Sequence, residues 1–174
     1  MDEKRLLLRP FLAALAYRTQ KALRGAPADF GSFRAADNVR TPAQIVCHMT
    51  SVLGYARTYF VGGSFRPAGL PTLHEEVERF HGMVADLGRH IESGSPLLEG
   101  MTAERLLQGP LSDAMTHVGQ LALLRRLAGA PVAPENFLFA KIDPVRLGSD
   151  QSEPARPDIV WGEAPPGWIP PSQV

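Results

Sequence analysis

The stretch from Thr72 to Glu92, TLHEEVERFHGMVADLGRHIE, carries the clearest helical pattern in the chain. Its apolar residues recur at intervals of four, three, four, three and four: Leu73, Val77, Phe80, Val84, Leu87 and Ile91. This spacing follows the α-helical period of about 3.6 residues and puts these side chains on one face. Thr72 and Glu75 form a capping-box pattern at the start. The stretch therefore predicts an amphipathic helix that buries one face.

Three further segments have helical periodicity, and none alternates in the manner of a β-strand. They run from about Leu6 to Leu23, from Thr41-Pro42 to about Phe60, and from Pro110 or Ser112 to Gly129. Four amphipathic helices of this length bury their apolar faces on one another. We therefore expect an all-α fold, a four-helix bundle, whose long connections allow a crossover topology.

The prolines are concentrated near the C-terminus, with nine of the 16 in residues 130–174. We predict a bundle domain at 1–142 and a Pro/Trp-containing C-terminal extension at 143–174. Residues 134–142 are weakly helical in pattern. Because the extension holds both tryptophans, Trp161 and Trp168, we expect it to be extended and packed on the bundle surface. A flexible tail is the alternative.

Composition excludes several classes of protein. The 174 residues hold 18 Lys plus Arg against 18 Asp plus Glu, with no basic cluster, so no nucleic-acid partner is expected. No run of about 18 apolar residues is present, which excludes a membrane span of that kind. The single cysteine, Cys47, cannot form an internal disulfide and is expected to be a small buried side chain. A cytoplasmic location is expected.

Two histidines stand apart as candidate metal ligands. His117 follows Asp113 by four residues on the last helix, so both side chains can reach one atom. Their line continues into apolar residues, which predicts that the Asp113 carboxylate is buried and needs a partner. His48 lies on the apolar face of the second helix. The alternative for Asp113 and His117 is a simple ion pair, and the alternative for His48 is a histidine of the apolar core. His74, Glu78 and His81 also share helical spacing, but they are expected on a solvated face.

Two segments resemble a known family. Thr41-Pro-Ala-Gln-Ile-Val-Cys-His48-Met and His117-Val-Gly-Gln120-Leu, with Arg126 and Gly129-Ala-Pro131 following, are similar to the second-helix and last-helix signatures of the DinB/YfiT-like superfamily of bacterial four-helix-bundle metalloenzymes. The resemblance covers about residues 1–142. It implies a metal site formed by His48, Asp113 and His117. Many members have histidine at the position of Asp113, so this chain would have two imidazoles and one carboxylate.

The resemblance also implies a chemistry. A divalent metal, zinc first, with nickel, iron or manganese as alternatives, would activate a thiol or water for transfer or hydrolysis on a small molecule. A low-molecular-weight thiol and a second copy of the chain are the implied partners. From proximity in the helical net, Tyr55, Tyr59 and Gln120 are expected to line the pocket or support the ligands. The alternative is a non-catalytic, stress-associated interaction protein with a degenerate metal site.

Overall fold

The computed structural model describes residues 3–158 and 160–167, and this part of the chain is all-α, as predicted. The helices are α1 (Glu3–Leu6), α2 (Leu8–Leu23), α3 (Pro42–Val61), α4 (Leu73–Glu92), α5 (Ala103–Leu106) and α6 (Ser112–Leu127). A 3₁₀ turn (Phe30–Ser32) and a π-helical turn (Leu107–Leu111) complete the set. Over the same residues no strand forms, and one isolated bridge joins Glu135 to Pro157. No helix of this part is long and apolar enough to cross a membrane.

Two of the long helices begin with complete capping boxes. The Thr72 backbone N–H donates to Glu75 Oε2 at 2.9 Å, and the Glu75 N–H donates back to Thr72 Oγ1 at 3.2 Å. Thr41 and Gln44 make the same reciprocal pair at the start of α3, where Pro42 occupies the first helical position. These bonds satisfy backbone donors that have no partner within the helix, so they fix where α3 and α4 begin.

The inward faces of the four long helices meet in one apolar core. Helix α3 packs on α4 and α6, and α2 packs on the same two helices. The core includes side chains from every long helix, fully removed from solvent: Leu12, Leu15, Met49, Leu53, Phe80, Val84 and Leu121. Each such burial stabilises the fold by about 1.5–3 kcal/mol. The packing of α3 against α6 brings the two candidate histidines to one side of this core.

A π-helical turn separates α5 from α6. The Ser112 hydroxyl donates to the Leu107 carbonyl, five residues earlier, at 2.6 Å. Gly109 inside the turn has a non-helical conformation (φ −94°, ψ −105°), and Pro110 contributes no backbone donor. The wide turn re-aims the chain just before Asp113. Turns of this kind occur often at functional sites.

The chain after α6 crosses α2. The Tyr17 hydroxyl donates to Glu135 Oε2 at 2.8 Å, and Arg24 Nη2 donates to the Gln151 carbonyl at 2.7 Å. The weak helical pattern at 134–142 is a wrong prediction, because these residues form turns; in one of them the Leu138 N–H donates to Asn136 Oδ1. Trp168 lies outside the described residues.

The same segment reaches α4 and changes the environment of His81. Leu147 packs beside the core, and its carbonyl lies 3.1 Å from His81 Nδ1. His81 is buried, so the expectation that it lies on a solvated face is wrong. The neighbouring His74 and Glu78 are exposed, as expected. Sequence spacing could not show that a distant part of the chain covers this face of α4.

Candidate metal centre

Three side chains from two helices converge at one end of the core. His48 comes from α3, and Asp113 and His117 lie one turn apart on α6. Their ligand atoms all lie within 4.8 Å of one another. The His48 and His117 ring centroids are 4.7 Å apart, with the ring planes at 82°. The structure thus brings together the three residues that the sequence singles out, although nothing local to either helix joins them.

The spacing of these atoms suits a small divalent ion. Two donors, each about 2.0–2.1 Å from a tetrahedral zinc ion, are about 3.3 Å from each other. His117 Nε2 and Asp113 Oδ1 are 3.4 Å apart. The whole set is wider, up to 4.8 Å, so modest side-chain rotation would complete the coordination. Two imidazoles and a carboxylate form a donor set used for zinc and for iron.

The hydrogen bonding of His117 prepares one nitrogen as a ligand. Its Nδ1 lies 2.7 Å from Gln120 Oε1. Because a carbonyl oxygen accepts, Nδ1 is the donor, and in the neutral imidazole Nε2 then keeps its lone pair. His117 is only 6% exposed, and its Nε2 has no hydrogen bond, since the contact with Asp113 has an ion-pair distance without hydrogen-bond geometry. A buried acceptor without a partner is costly, and a metal ion would satisfy it.

His48 is half-buried and is held in the form that binds metals. Burial lowers the pKa of its imidazole, and the positive charge of Arg40 lowers it further, while Asp113 acts in the opposite direction. The lowered pKa keeps His48 neutral at neutral pH. Neutral imidazole is the ligating form.

Asp113 differs from the expectation that it is buried. Its side chain is 51% exposed, because it lies in the first turn of α6 where the structure opens to solvent. Water can therefore solvate the carboxylate, and its charge needs no metal ion for compensation. The predicted burial of Asp113 is wrong, and the features that favour a metal ion are the convergence of the three ligands and the unpartnered Nε2 of His117.

A cleft of about 700 Å³ opens beside Asp113. Its walls come from α3, the following loop, the π-helical turn and the start of α6: Ser51, Val52, Tyr55, Tyr59, Phe65, Arg66, Gln108, Gly109, Pro110, Ser112, Asp113 and Thr116. This volume is typical of small-molecule sites. The Tyr55 and Tyr59 rings meet edge to face at 5.2 Å, and burial with the Tyr55 hydrogen bond raises the pKa of Tyr59 to about 12. Both tyrosines line the cleft, and Tyr59 stays a neutral phenol.

Sequence reasoning missed five polar residues of this cleft: Ser51, Arg66, Gln108, Ser112 and Thr116. Arg66 lies in the loop after α3, where no periodicity marks it. Its position depends on Phe65, whose ring lies against α3 at Gly54: a Cβ atom built there would be 1.9 Å from Phe65 Cδ1. Glycine at position 54 therefore permits the close approach that places Arg66 at the cleft.

Cys47 offers no competing nucleophile. The thiol is half-buried, and Arg79 Nη2 lies 3.4 Å from its Sγ. Burial, followed by the charge of Glu76, raises the pKa of the thiol despite Arg79. A raised pKa disfavours the reactive thiolate.

Comparison with known proteins identifies no relative: no family model, curated protein or solved structure matches the chain. The resemblance to the DinB/YfiT-like superfamily stays a prediction from the two sequence segments.

Proposed function

We propose that the protein is a metal-dependent enzyme of the DinB/YfiT-like class, a four-helix bundle with a C-terminal extension packed on it. A divalent metal would be held by His48, Asp113 and His117. The observation that carries this proposal is the convergence of three ligand atoms within 4.8 Å. The unpartnered, buried His117 Nε2 and the adjacent cleft support it.

A divalent metal at this site would lower the pKa of a bound thiol or water, supplying a nucleophile near neutral pH. The residues around the site orient one histidine and keep the other neutral for metal binding. Gln120 orients His117, and burial keeps His48 neutral. The cleft would receive a small molecule beside Asp113, next to the neutral phenol of Tyr59. Zinc suits the donor set best, with nickel, iron and manganese as alternatives.

The proposed reaction is transfer or hydrolysis on a small molecule, with a low-molecular-weight thiol as the co-substrate of a transferase. We also propose a homodimer. Leu123 and Leu127 support it, because each is about half exposed on the outer face of α6. Light scattering on the purified chain measures the mass directly, and a monomer at micromolar concentration would remove this part of the proposal.

Metal binding is tested on purified protein by elemental analysis and by thermal unfolding with and without zinc. A ligand that binds only the native state raises the melting temperature. We expect zinc to stabilise the wild type but not His117→Ala, whereas the control His74→Ala, which changes an exposed histidine on α4, should respond as the wild type does. Because His117 is buried, Asp113→Asn at the exposed ligand is the second test variant.

Activity is tested by mixing the zinc-loaded protein with a chromogenic electrophile and a panel of small thiols. Thiol-dependent turnover that disappears in Asp113→Asn supports the transferase. A melting temperature that neither zinc, nickel nor a chelator changes would refute the metal site and favour the alternative, a non-catalytic, stress-associated bundle.

A further inference from the structure

Arg66 is a cation at the cleft wall without a partner of its own. Several other arginines of the fold are paired, among them Arg57 with Asp86 and Arg79 with Glu76. In residues 3–158 and 160–167, by contrast, no carboxylate or carbonyl pairs with the Arg66 side chain. An unpaired guanidinium at a cavity wall can bind an anionic ligand group with paired, charge-assisted hydrogen bonds.

The charge balance of the cleft favours an anion. Arg66 and Asp113 are its charged lining residues. In the proposed enzyme, Asp113 is a metal ligand, so its negative charge is offset there. Arg40 adds a further positive charge close enough to affect His48. The cleft of the metal-loaded protein therefore carries a net positive charge.

The remaining walls are suited to an apolar group. Val52, Tyr55, Phe65 and Pro110 line the cleft next to Arg66 and Asp113. Tyr55 is largely exposed, so its ring is available to a ligand. Phe65 is seated on Gly54, which holds the adjacent Arg66 in place. A ligand with an apolar body and one acidic group would satisfy both kinds of wall.

We propose that this cleft binds a small carboxylic acid, with the carboxylate on Arg66 and the apolar body against Tyr55 and Phe65. The reaction and the net positive charge of the cleft rest on the proposed metal-dependent function, whereas the contact between Arg66 and a carboxylate does not need the metal. A carboxylate matches a single guanidinium in shape and charge. A phosphate ester carries more charge than the one unpaired cation of the lining can neutralise. Arg66 is thus the residue that determines substrate specificity.

The test compares 3-phenylpropanoate with its neutral amide, 3-phenylpropanamide, by calorimetric titration. We expect the wild type to bind the carboxylate roughly tenfold more tightly, the effect of one charge-assisted pair at a solvated site. Arg66→Gln should remove this preference. The control Arg156→Gln changes an exposed arginine outside the cleft lining and should keep it.

Each titration is made with the zinc-loaded and the chelator-treated protein, because a carboxylate can also bind a metal. A preference that depends on Arg66 in both forms supports the proposal, even if the metal site itself fails. A preference that needs zinc and survives in Arg66→Gln would assign the carboxylate to the metal and overturn the proposal. Equal binding of acid and amide, or tighter binding of 3-phenylpropyl phosphate than of the acid, would overturn it as well.

Discussion

His117 Nε2 lies 3.4 Å from Asp113 Oδ1, although His117 is buried and Asp113 is about half exposed. The two side chains lie one turn apart on α6, one of them buried and the other exposed to solvent. This difference separates the two roles: substitutions of His117 disturb packing, whereas those of Asp113 change the ligand set with little effect on the core.

Asp113→His should retain zinc binding, because it gives three imidazoles, while Asp113→Ala should lose it. Without metal, both variants should unfold within about 0.5 kcal/mol of the wild type, as expected for an exposed residue. Zinc titration against a chromophoric chelator and urea unfolding measure the two effects. Zinc affinity of Asp113→Ala equal to that of the wild type would show that Asp113 is not a ligand.

Gln120→Leu should weaken zinc binding about 10–100-fold, the usual effect of losing the group that orients a ligating histidine. Gln120 accepts the Nδ1 proton of His117 and is itself exposed, so the fold should be unaffected. Competition with a chelator measures the affinity. Gln120→Glu is the matched control, because it keeps the acceptor and should preserve the affinity; an equal loss in both variants would contradict this role.

Gly54→Ala should destabilise the protein by about 1–3 kcal/mol, because the added methyl group overlaps the Phe65 ring. The loss should appear even though alanine favours helices over glycine. The control is Gly82→Ala in α4, where nothing lies within 4 Å and where we expect a gain of about 0.4–1 kcal/mol. Urea unfolding measures both, and a stabilised Gly54→Ala would show that Phe65 does not rest on the helix as described.

Stability should fall as the pH drops below about 6.5, the pKa of an unfolded histidine, in part because of His81. Burial lowers the pKa of this imidazole in the folded state. Its Nε2 is buried without a partner, so a second proton has nowhere favourable to go. Below about pH 6.5 the unfolded state therefore binds more protons than the folded state. The free energy of unfolding that neutral His81 contributes above this pH is then lost by at most about 1.4 kcal/mol per pH unit.

This dependence is measured by urea unfolding at several pH values between 5 and 7.5, an interval chosen around the ordinary histidine pKa of about 6.5. His81→Gln should flatten the slope, and His74→Gln, at an exposed position of the same helix, should leave it unchanged. Identical slopes in the wild type and His81→Gln would contradict the prediction.

The helices that the sequence predicts well are those with local signals. Thr72 and Glu75 mark the start of α4, and α6 occupies Ser112–Leu127 inside its predicted range. The Asp113–His117 spacing is also local, so it could be found. Three features depend on contacts between distant segments, and no periodicity encodes them. They are the exposure of Asp113, the contact of Leu147 with His81 and the packing of Phe65 against Gly54.

The number of residues in the π-helical turn determines how α6 is rotated relative to α5. Leu106 before the turn, Leu111 at its end and Ala114 after it are all buried in the same core. One residue corresponds to about 100° of rotation along a helix. Deleting a single residue between them would force one side of the turn to leave the core or would rotate Asp113 and His117 away from His48. The number of residues in this turn is therefore constrained as strictly as the identity of its buried side chains.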